Sequence, residues 1–268
     1  MILACHNLNK SFGERIIVKD GSFHIEDREK VAFVGVNGAG KSTFSKLICG
    51  FETPDSGEIL FKGKDLLQEN IRHRAKYIGY VMQNPNQMIS KTMIFEEVAM
   101  SLQNQGLSQE EIKEKVEATL KICGLYPFRN WPVSALSFGQ KKRVTIASVL
   151  VQDPELIILD EPTAGQDFRH YTEIMEFLRE LNKNGVTIVM ITHDMHLMLE
   201  YTNRAIVLSN GQKLAEDTAA NILTNENIIK EANLKETSLY ALAVKSGIED
   251  PREFVRRFIN YDRRIRGI

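Results

Sequence analysis

The chain has 268 residues, which is enough for one sizeable core with an appendage. Lys and Arg number 34 and Asp and Glu 35, so a formal net charge of −1 does not indicate a nucleic-acid partner. The three cysteines are too scattered for a disulfide framework or a paired-cysteine metal site, and we expect free thiols in a reducing cytoplasm. We find no signal-peptide pattern and no apolar run near the roughly 20 residues that cross a bilayer. Any membrane connection is therefore expected through a partner.

The first part of the chain alternates short apolar runs with turns. Residues 31–34 form an apolar run that ends in glycine and predicts a buried strand, and Lys41–Cys49 predicts a helix that stops at Gly50. Further strands are predicted at 58–61, after a turn, and at 77–82.

The pattern becomes helical from about residue 91 to 151. Within this stretch Ser108 and Glu111 predict a capping box, and apolar residues recur every four positions until Gly124. Strands and helices then alternate again, with strands at 156–159, 186–191 and 205–208, and helices at 168–184 and from 195. This alternation predicts an α/β fold with a mainly parallel, buried sheet, into which the helical stretch is inserted as a subdomain.

The character of the chain changes again near Leu234. Two helices are predicted, at 235–245 and 250–264, and the second begins with the cap-and-proline pair Asp250-Pro251. We expect that second helix to bury the apolar residues Phe254, Val255, Phe258 and Ile259. Six arginines on it indicate a solvated face or, alternatively, a dimer contact; a nucleic-acid patch is disfavoured because no aromatic platform accompanies them.

Residues 35–43 read G-V-N-G-A-G-K-S-T and fit the phosphate-loop pattern G-x-x-x-x-G-K-[ST]. Glycines let several backbone N–H groups converge on a phosphate, and the following helix adds its positive end. We expect Lys41 to reach the β- and γ-phosphates and the Ser42 hydroxyl to hold Mg²⁺. The nucleotide-binding residues predicted in this loop are Asn37, Gly38, Ala39, Gly40, Lys41, Ser42 and Thr43.

Polar residues with suitable chemistry follow three of the predicted strands. Asp160 ends an apolar run and can join a Mg²⁺ shell, while Glu161 can polarise an attacking water. His193 follows another strand and is expected at the γ-phosphate, and Gln83 could touch both the metal and the water. Phe12 could stack on adenine, or could be a core residue of an N-terminal sheet.

These elements, in this order, resemble the ATP-binding cassette (ABC) ATPases over roughly residues 3–219. The resemblance implies the P-loop ABC-ATPase fold with an inserted helical subdomain, ATP and Mg²⁺ as cofactors, and hydrolysis of ATP. The roles it implies are adenine stacking for Phe12, the Q-loop glutamine for Gln83, the catalytic carboxylate for Glu161, the switch histidine for His193 and the D-loop for residues 164–167.

The peptide at 136–140, L-S-F-G-Q, is similar to the signature peptide of that family, in which each ATP lies between one subunit's phosphate loop and its partner's signature peptide. A helix predicted from 138 to 152 agrees with this, because Ser137, Gly139 and the helix N-terminus would form a second anion site, with Gln140 beside it. The family commonly has glycine where this chain has Phe138, which is either tolerated or alters the shared site.

Residues 83–87 and 160–167 look like the ATPases of energy-coupling-factor importers, which take up vitamins or cobalt and nickel. This implies a second ABC ATPase subunit in a homo- or heterodimer, a transmembrane coupling protein and a substrate-binding membrane subunit, at the cytoplasmic face of the membrane. Residues 235–240 are similar to the C-terminal extension of a subgroup that often carries two cassettes, so the chain would be a single-cassette member or one half. We predict a cassette at 1–233, with a helical subdomain at about 91–151, and a helical extension at 234–268.

Two other classes compete with this interpretation. A soluble ABC ATPase acting on ribosomes or DNA usually has two cassettes, long coiled-coil insertions or basic arms, and none is visible in this sequence. An exporter is disfavoured because no transmembrane domain is fused to the cassette.

Overall fold

The computed structural model describes residues 1–103, 105–165, 168–234 and 238–266. The strands of these residues are β1 Leu3–Phe12, β2 Arg15–Ile25, β3 Lys30–Val34, β4 Ser56–Phe61, β5 Lys64–Asp65, β6 Ile78–Val81, β7 Leu156–Asp160, β8 Thr187–Thr192, β9 Arg204–Ser209 and β10 Gln212–Asp217. The helices are α1 Lys41–Cys49, α2 Ile71–Arg74, α3 Ile94–Gln103, α4 Gln109–Ile122, α5 Phe138–Leu150, α6 Phe168–Lys183, α7 Met195–Tyr201, α8 Ala219–Leu223, α9 Glu226–Glu231, α10 Ser238–Lys245 and α11 Pro251–Arg266.

The chain divides into two compact units. The first comprises Met1–Asn70 and Val189–Ile268, and the second is the continuous stretch Ile71–Ile188. None of the described helices combines the length and hydropathy needed to cross a membrane. The three cysteines are free and buried, which confirms the prediction of unpaired thiols.

An antiparallel sheet of order β2-β1-β4-β5 opens the first unit. Leu3 pairs with Ile25 on one side and with Phe61 on the other, and all three side chains are buried. The alternation that should reveal β1 and β2 is interrupted by register shifts along their pairing, which is why the sequence pattern did not define these two strands.

The other strands of the first unit follow the order β10-β9-β3-β8, where β8 belongs to this unit from Val189 onward; β3 and β9 are parallel, and β9 and β10 are antiparallel. Residues 31–34 of β3 are fully buried, which confirms the predicted buried strand. Phe23, Phe33 and Phe44 pack edge to face, with ring centroids 5.1 Å apart for Phe23–Phe33 and 5.3 Å for Phe23–Phe44. These rings join β2, β3 and α1 into one core.

The C-terminal helices also belong to the first unit, where α11 contacts α7, α8 and α10. The Asp250 carboxylate accepts a hydrogen bond from the backbone N–H of Glu253 at 3.0 Å, so the predicted cap is confirmed. Val255 is buried as predicted, but the expected burial of Phe258 is wrong because its side chain is 49 % exposed. The apolar stripe of α11 is wider than the surface that its neighbours cover. Residues 235–237 of the predicted preceding helix lie outside the described residues.

The second unit contains the parallel pair β6–β7 and a helical region in which α3, α4 and α5 pack on one another. The prediction of helices between 91 and 151 is confirmed, as is the capping box of Ser108 and Glu111. A Cβ on Gly79 would lie 2.1 Å from a methyl carbon of Val149, so glycine lets α5 approach β6 closely. This contact brings the C-terminal end of α5 against the start of β6.

Candidate functional site

The glycine loop, residues 35–40, joins β3 to α1 in the first unit. Gly35, Gly38 and Gly40 all have positive φ angles, of 149°, 84° and 98°. A Cβ on Gly35 would lie 2.2 Å from the carbonyl oxygen of Leu208, whereas a Cβ on Gly38 would meet nothing within 4 Å. The loop is therefore pressed against β9 at its start and open at Gly38, where a ligand can reach the backbone.

Lys41 begins α1 and folds back over the glycine loop. Its buried ammonium donates to the carbonyl oxygens of Gly35 at 2.6 Å and Val36 at 3.0 Å. Ser42 is exposed and Thr43 half-buried beside it, and no side chain caps the start of the helix. A lysine, a hydroxyl and an uncapped helix N-terminus together form a site suited to phosphate.

Two further predicted residues lie in the first unit. Phe12 ends β1 with its ring 48 % exposed and the Lys10 ammonium 5.3 Å from the ring centroid. The alternative of a core phenylalanine is therefore wrong, and the exposed ring can stack on a ligand. His193 is exposed between β8 and α7, next to Asp194, whose carboxylate caps α7 by accepting from the His196 and Leu197 N–H groups.

The second unit carries the predicted carboxylates. Asp160 ends β7, and its carboxylate accepts a hydrogen bond from the Tyr80 hydroxyl at 3.0 Å. Glu161 follows in a left-handed conformation with a φ of 44°. Such a conformation costs a non-glycine residue about 1–2 kcal/mol, and residues held in strained conformations cluster at active sites and ligand clamps.

Lys142 of α5 contacts the backbone at Gln83 and lies within electrostatic range of these carboxylates. Its ammonium donates to the carbonyl oxygens of Met82 at 2.7 Å and Gln83 at 3.0 Å. Burial lowers the pKa of Lys142 to about 8, although the negative charges of Asp160 and Glu161 act to raise it. Lys142 therefore binds the backbone of Gln83 directly, and the charges of Asp160 and Glu161 are near enough to act on its ammonium.

The signature peptide forms the start of α5. Ser137 is the N-cap, and a capping box joins the Ser137 hydroxyl to the Gln140 N–H at 3.2 Å and the Gln140 side chain to the Ser137 N–H at 2.9 Å. Gly139 is buried, and Phe138 is 41 % exposed. The capping box occupies the Gln140 N–H, whereas the N–H groups of Phe138 and Gly139 have no acceptor within the helix and face outward from its positive end.

Some predicted features cannot be placed. Residues 166 and 167 of the predicted D-loop lie outside the described residues. Within the described ranges, no cluster of three or more His, Cys, Asp or Glu side chains could hold a metal ion. The metal ligands predicted from the sequence are Ser42, Gln83 and Asp160. Their hydroxyl, amide and carboxylate oxygens are the hard donors that Mg²⁺ prefers, and the three residues are divided between the two units.

A family model described as ABC transporter matches residues 18–164, a span that includes the glycine loop, Gln83, the signature peptide and Glu161. The chain belongs to the ABC transporter ATP-binding family. A protein of Clostridium perfringens strain 13, named "Putative ABC transporter ATP-binding protein CPE1583", is 60 % identical over 99 % of the chain and 47 % of its own length. A similarly named protein of Enterococcus faecalis is 62 % identical over 95 % of the chain and 44 % of its own length. The chain thus spans about half the length of these curated relatives.

Solved structures of ABC cassettes have the same fold. The cbiO1 protein of Clostridium perfringens, described as part of the ABC transporter complex cbiONQ, has a TM-score of 0.80 and 33 % identity over 92 % of this chain and 99 % of its own. The cassette MJ0796, described as a dimer in a post-hydrolysis state bound to ADP and Pi, has a TM-score of 0.72 and 30 % identity over 81 % of this chain and 99 % of its own. These matches confirm the predicted ABC-ATPase fold class.

The sequence reasoning missed Tyr80 and Lys142. Tyr80 carried no signal beyond its place in a short strand. Lys142 did carry one, because it occupies a position of the apolar face of α5 that Ile146 and Val149 continue. A lysine at such a position is buried only when its ammonium finds partners, and this is a reason to search for them.

Proposed function

We propose that this cassette binds and hydrolyses ATP as a subunit of a membrane importer. The observation that carries the proposal is the glycine loop, with Lys41 folded over it and an open approach at Gly38, in a chain that belongs to the ABC transporter family. In this proposal the loop N–H groups and Lys41 bind the phosphates, Ser42 faces the metal, and Phe12 stacks on adenine.

Glu161 is the proposed general base, with Gln83 and His193 orienting the attacking water and the γ-phosphate. Phosphoryl transfer needs little covalent chemistry from the protein, so a carboxylate that accepts a proton from water and groups that fix the water's position are sufficient. Asp160 and Ser42 would hold Mg²⁺, which would neutralise phosphate charge when bound. Tyr80 supports this role for Asp160 because its hydrogen bond fixes the carboxylate.

The signature peptide is proposed to act on the ATP of a second cassette. Ser137, Gly139 and the N-terminus of α5 offer donors to an anion, and Gln140 holds Ser137 in place through the capping box. The dimeric form of MJ0796 supports such a pairing. The partner is a second ABC ATPase subunit, either another copy or a homologous cassette.

The importer is proposed to be of the energy-coupling-factor type, for a vitamin or a transition-metal ion. The similarity to cbiO1, which is described as part of the cbiONQ complex, supports this class. A transmembrane coupling protein and a substrate-binding membrane subunit would complete the assembly and hold the cassette at the cytoplasmic face of the membrane. Purification of the tagged chain from solubilised membranes tests this: recovery of both membrane proteins is expected, and a complex that lacks a coupling protein would contradict the class.

Replacing Glu161 by Gln tests the hydrolytic part. Glu161→Gln removes the proton acceptor and keeps the shape of the side chain, so ATP binding should be retained while turnover falls about 10²–10⁴-fold. Steady-state phosphate release and ATP titration measure the two quantities, with the exposed Glu114→Gln of α4 as the matched control. Normal turnover in Glu161→Gln would exclude Glu161 as the base.

A further inference from the structure

The segment that carries Gln83 is held at both ends by buried charged side chains from neighbouring helices. This segment, the Gln83 loop, comprises residues 82–91; it follows β6, leads towards α3 and contains no glycine. Asn84 caps a short 3₁₀ turn at Pro85–Gln87 by accepting from the Asn86 N–H at 3.0 Å. That turn orders the middle of the loop, but the backbone groups at its two ends need partners from elsewhere.

A buried cation holds the first end. Lys142 is 1 % exposed and donates to the carbonyl oxygens of Met82 and Gln83, at 2.7 Å and 3.0 Å. Burying a lysine costs several kcal/mol unless its ammonium is well solvated by protein groups. The two carbonyl dipoles provide that solvation, and so the lysine and the start of the loop depend on each other.

A buried anion holds the second end. Glu97, in the first turn of α3, is 3 % exposed. One oxygen of its carboxylate accepts from the backbone N–H of Ser90 at 2.8 Å and of Lys91 at 2.7 Å. A carboxylate near a helix N-terminus is also stabilised by the helix dipole. At each end, the charge of the side chain is opposite to the partial charge of the backbone groups that it binds: the cation binds carbonyl oxygens and the anion binds N–H groups.

We propose that Lys142 and Glu97 are positioning residues that hold the two ends of the Gln83 loop to α5 and α3, and thereby fix where the Gln83 side chain can reach. The two helices pack on each other, so the anchors share one support. Because α5 also begins with the signature peptide, the anchor at Lys142 ties Gln83 to the helix that carries Ser137. The proposal rests on the proposed function, in which Gln83 acts on the attacking water.

The test compares variants that remove each anchor with variants that keep its hydrogen-bonding capacity. Lys142→Met and Glu97→Leu remove the donor and the acceptor at similar length, whereas Lys142→Gln and Glu97→Gln keep an amide that can still bind the same backbone groups. The matched controls are Lys113→Met of α4 and Glu96→Leu of α3, whose side chains are exposed. For each full-length variant, hydrogen–deuterium exchange is read on peptides covering 82–91, together with ATP affinity and turnover.

We expect Lys142→Met and Glu97→Leu to exchange faster at 82–91 and to lose about 10- to 100-fold in turnover, with ATP affinity unchanged. The two Gln variants should recover most of the turnover, which a general loss of packing would not allow. The other three anchor variants test the same proposal if Lys142→Met does not fold.

Wild-type exchange at 82–91 in both Lys142→Met and Glu97→Leu would overturn the proposal, whether or not turnover falls. A wild-type protein that hydrolyses no ATP would instead overturn the proposed function. The exchange data would then still decide whether Lys142 and Glu97 hold the loop.

Discussion

The glycine loop and the Gln83 loop place a lysine ammonium in nearly the same surroundings. Lys41 donates to two consecutive carbonyl oxygens, of Gly35 and Val36, at 2.6 Å and 3.0 Å. Lys142 donates to those of Met82 and Gln83, at 2.7 Å and 3.0 Å. These are the buried lysines of the part of the chain that the structure describes. In each unit, a buried ammonium thus donates to two consecutive backbone carbonyls.

The two loops differ in what gives them their shape. The glycine loop takes positive φ angles at Gly35, Gly38 and Gly40, so its backbone conformation depends on the absence of side chains. The Gln83 loop has no glycine and is held by side chains that reach it from two helices. The first arrangement leaves backbone N–H groups open to a ligand, and the second uses up backbone groups to fix one side chain.

The largest loss of stability is expected from adding a methyl group to the glycine loop. In Gly35→Ala the new Cβ would meet the Leu208 carbonyl oxygen at 2.2 Å, and we expect a loss of about 3 kcal/mol in the free energy of unfolding. Gly38→Ala is the matched control, because only its positive φ opposes alanine, at about 1 kcal/mol. Urea unfolding measures both. Equal losses would show that the approach to β9 does not constrain the loop.

The next largest effect is expected from Lys41→Met, which should weaken the binding of ATP. A charge-assisted hydrogen bond contributes about 1.5–3 kcal/mol, so ATP affinity should fall by about 10- to 150-fold. Titration calorimetry measures it, with Lys46→Met on the exposed face of α1 as the control. An unaltered dissociation constant would contradict the phosphate-binding role of Lys41 and leave it as a structural counterpart of Lys142.

The difference between the two loops also explains which of their contacts could be predicted from the sequence. Lys41 lies six positions from Gly35, within one motif whose residue types follow from the geometry of a phosphate-binding backbone. Lys142 lies 60 positions from Met82, and nothing in the local pattern of either segment specifies the other. The glycine loop could therefore be predicted as a unit, whereas the contacts of the Gln83 loop required the packing of α5 against β6.

The same distinction applies to the fold. The helix Lys41–Cys49 and the capping boxes at Ser108 and Ser137 depend on neighbours within four residues, and the bounds of that helix and the Ser108 box could be predicted. The strands β1 and β2 depend on pairing across a sheet with shifted register, and they could not be defined in advance. Exposure at the surface of α11 depends on how far its neighbours extend, so Phe258 was assigned wrongly.

Arg204 provides a half-buried cation of a third kind, whose partners include two carboxylates. It makes two hydrogen bonds to the Glu29 carboxylate, at 2.7 Å and 2.8 Å, and a further one to Glu216. The side chains are 14–18 % exposed, so we expect Arg204→Met to cost about 2 kcal/mol at pH 7, less than the removal of a fully buried partner. Urea unfolding across pH measures this loss.

The pH dependence of that loss has a definite sign. Burial raises the pKa of Glu216, but the Lys213 hydrogen bond and the Arg204 charge outweigh it, and the pKa falls below its ordinary value of 4.5. A carboxyl with a lowered pKa stabilises the fold above its ordinary value and loses that contribution as the pH falls towards the folded-state pKa. The gap between wild type and Arg204→Met should therefore narrow below about pH 4.5, and a gap that widens in acid would contradict this assignment.

The smallest effect is expected at Phe138, on the same helix as Lys142 but at its exposed start. Phe138→Gly restores the residue common in ABC signature peptides and leaves the Ser137 cap and Gly139 in place. At the first position of a helix the glycine should cost at most about 1 kcal/mol of stability. Single-turnover ATP hydrolysis by the assembled complex should keep its rate, because the proposed donors to the partner's ATP are the Ser137 hydroxyl and backbone N–H groups, which the substitution does not remove. A changed rate would instead mean that the Phe138 side chain alters the shared site and that the two ATP sites of a dimer with a different cassette are unequal.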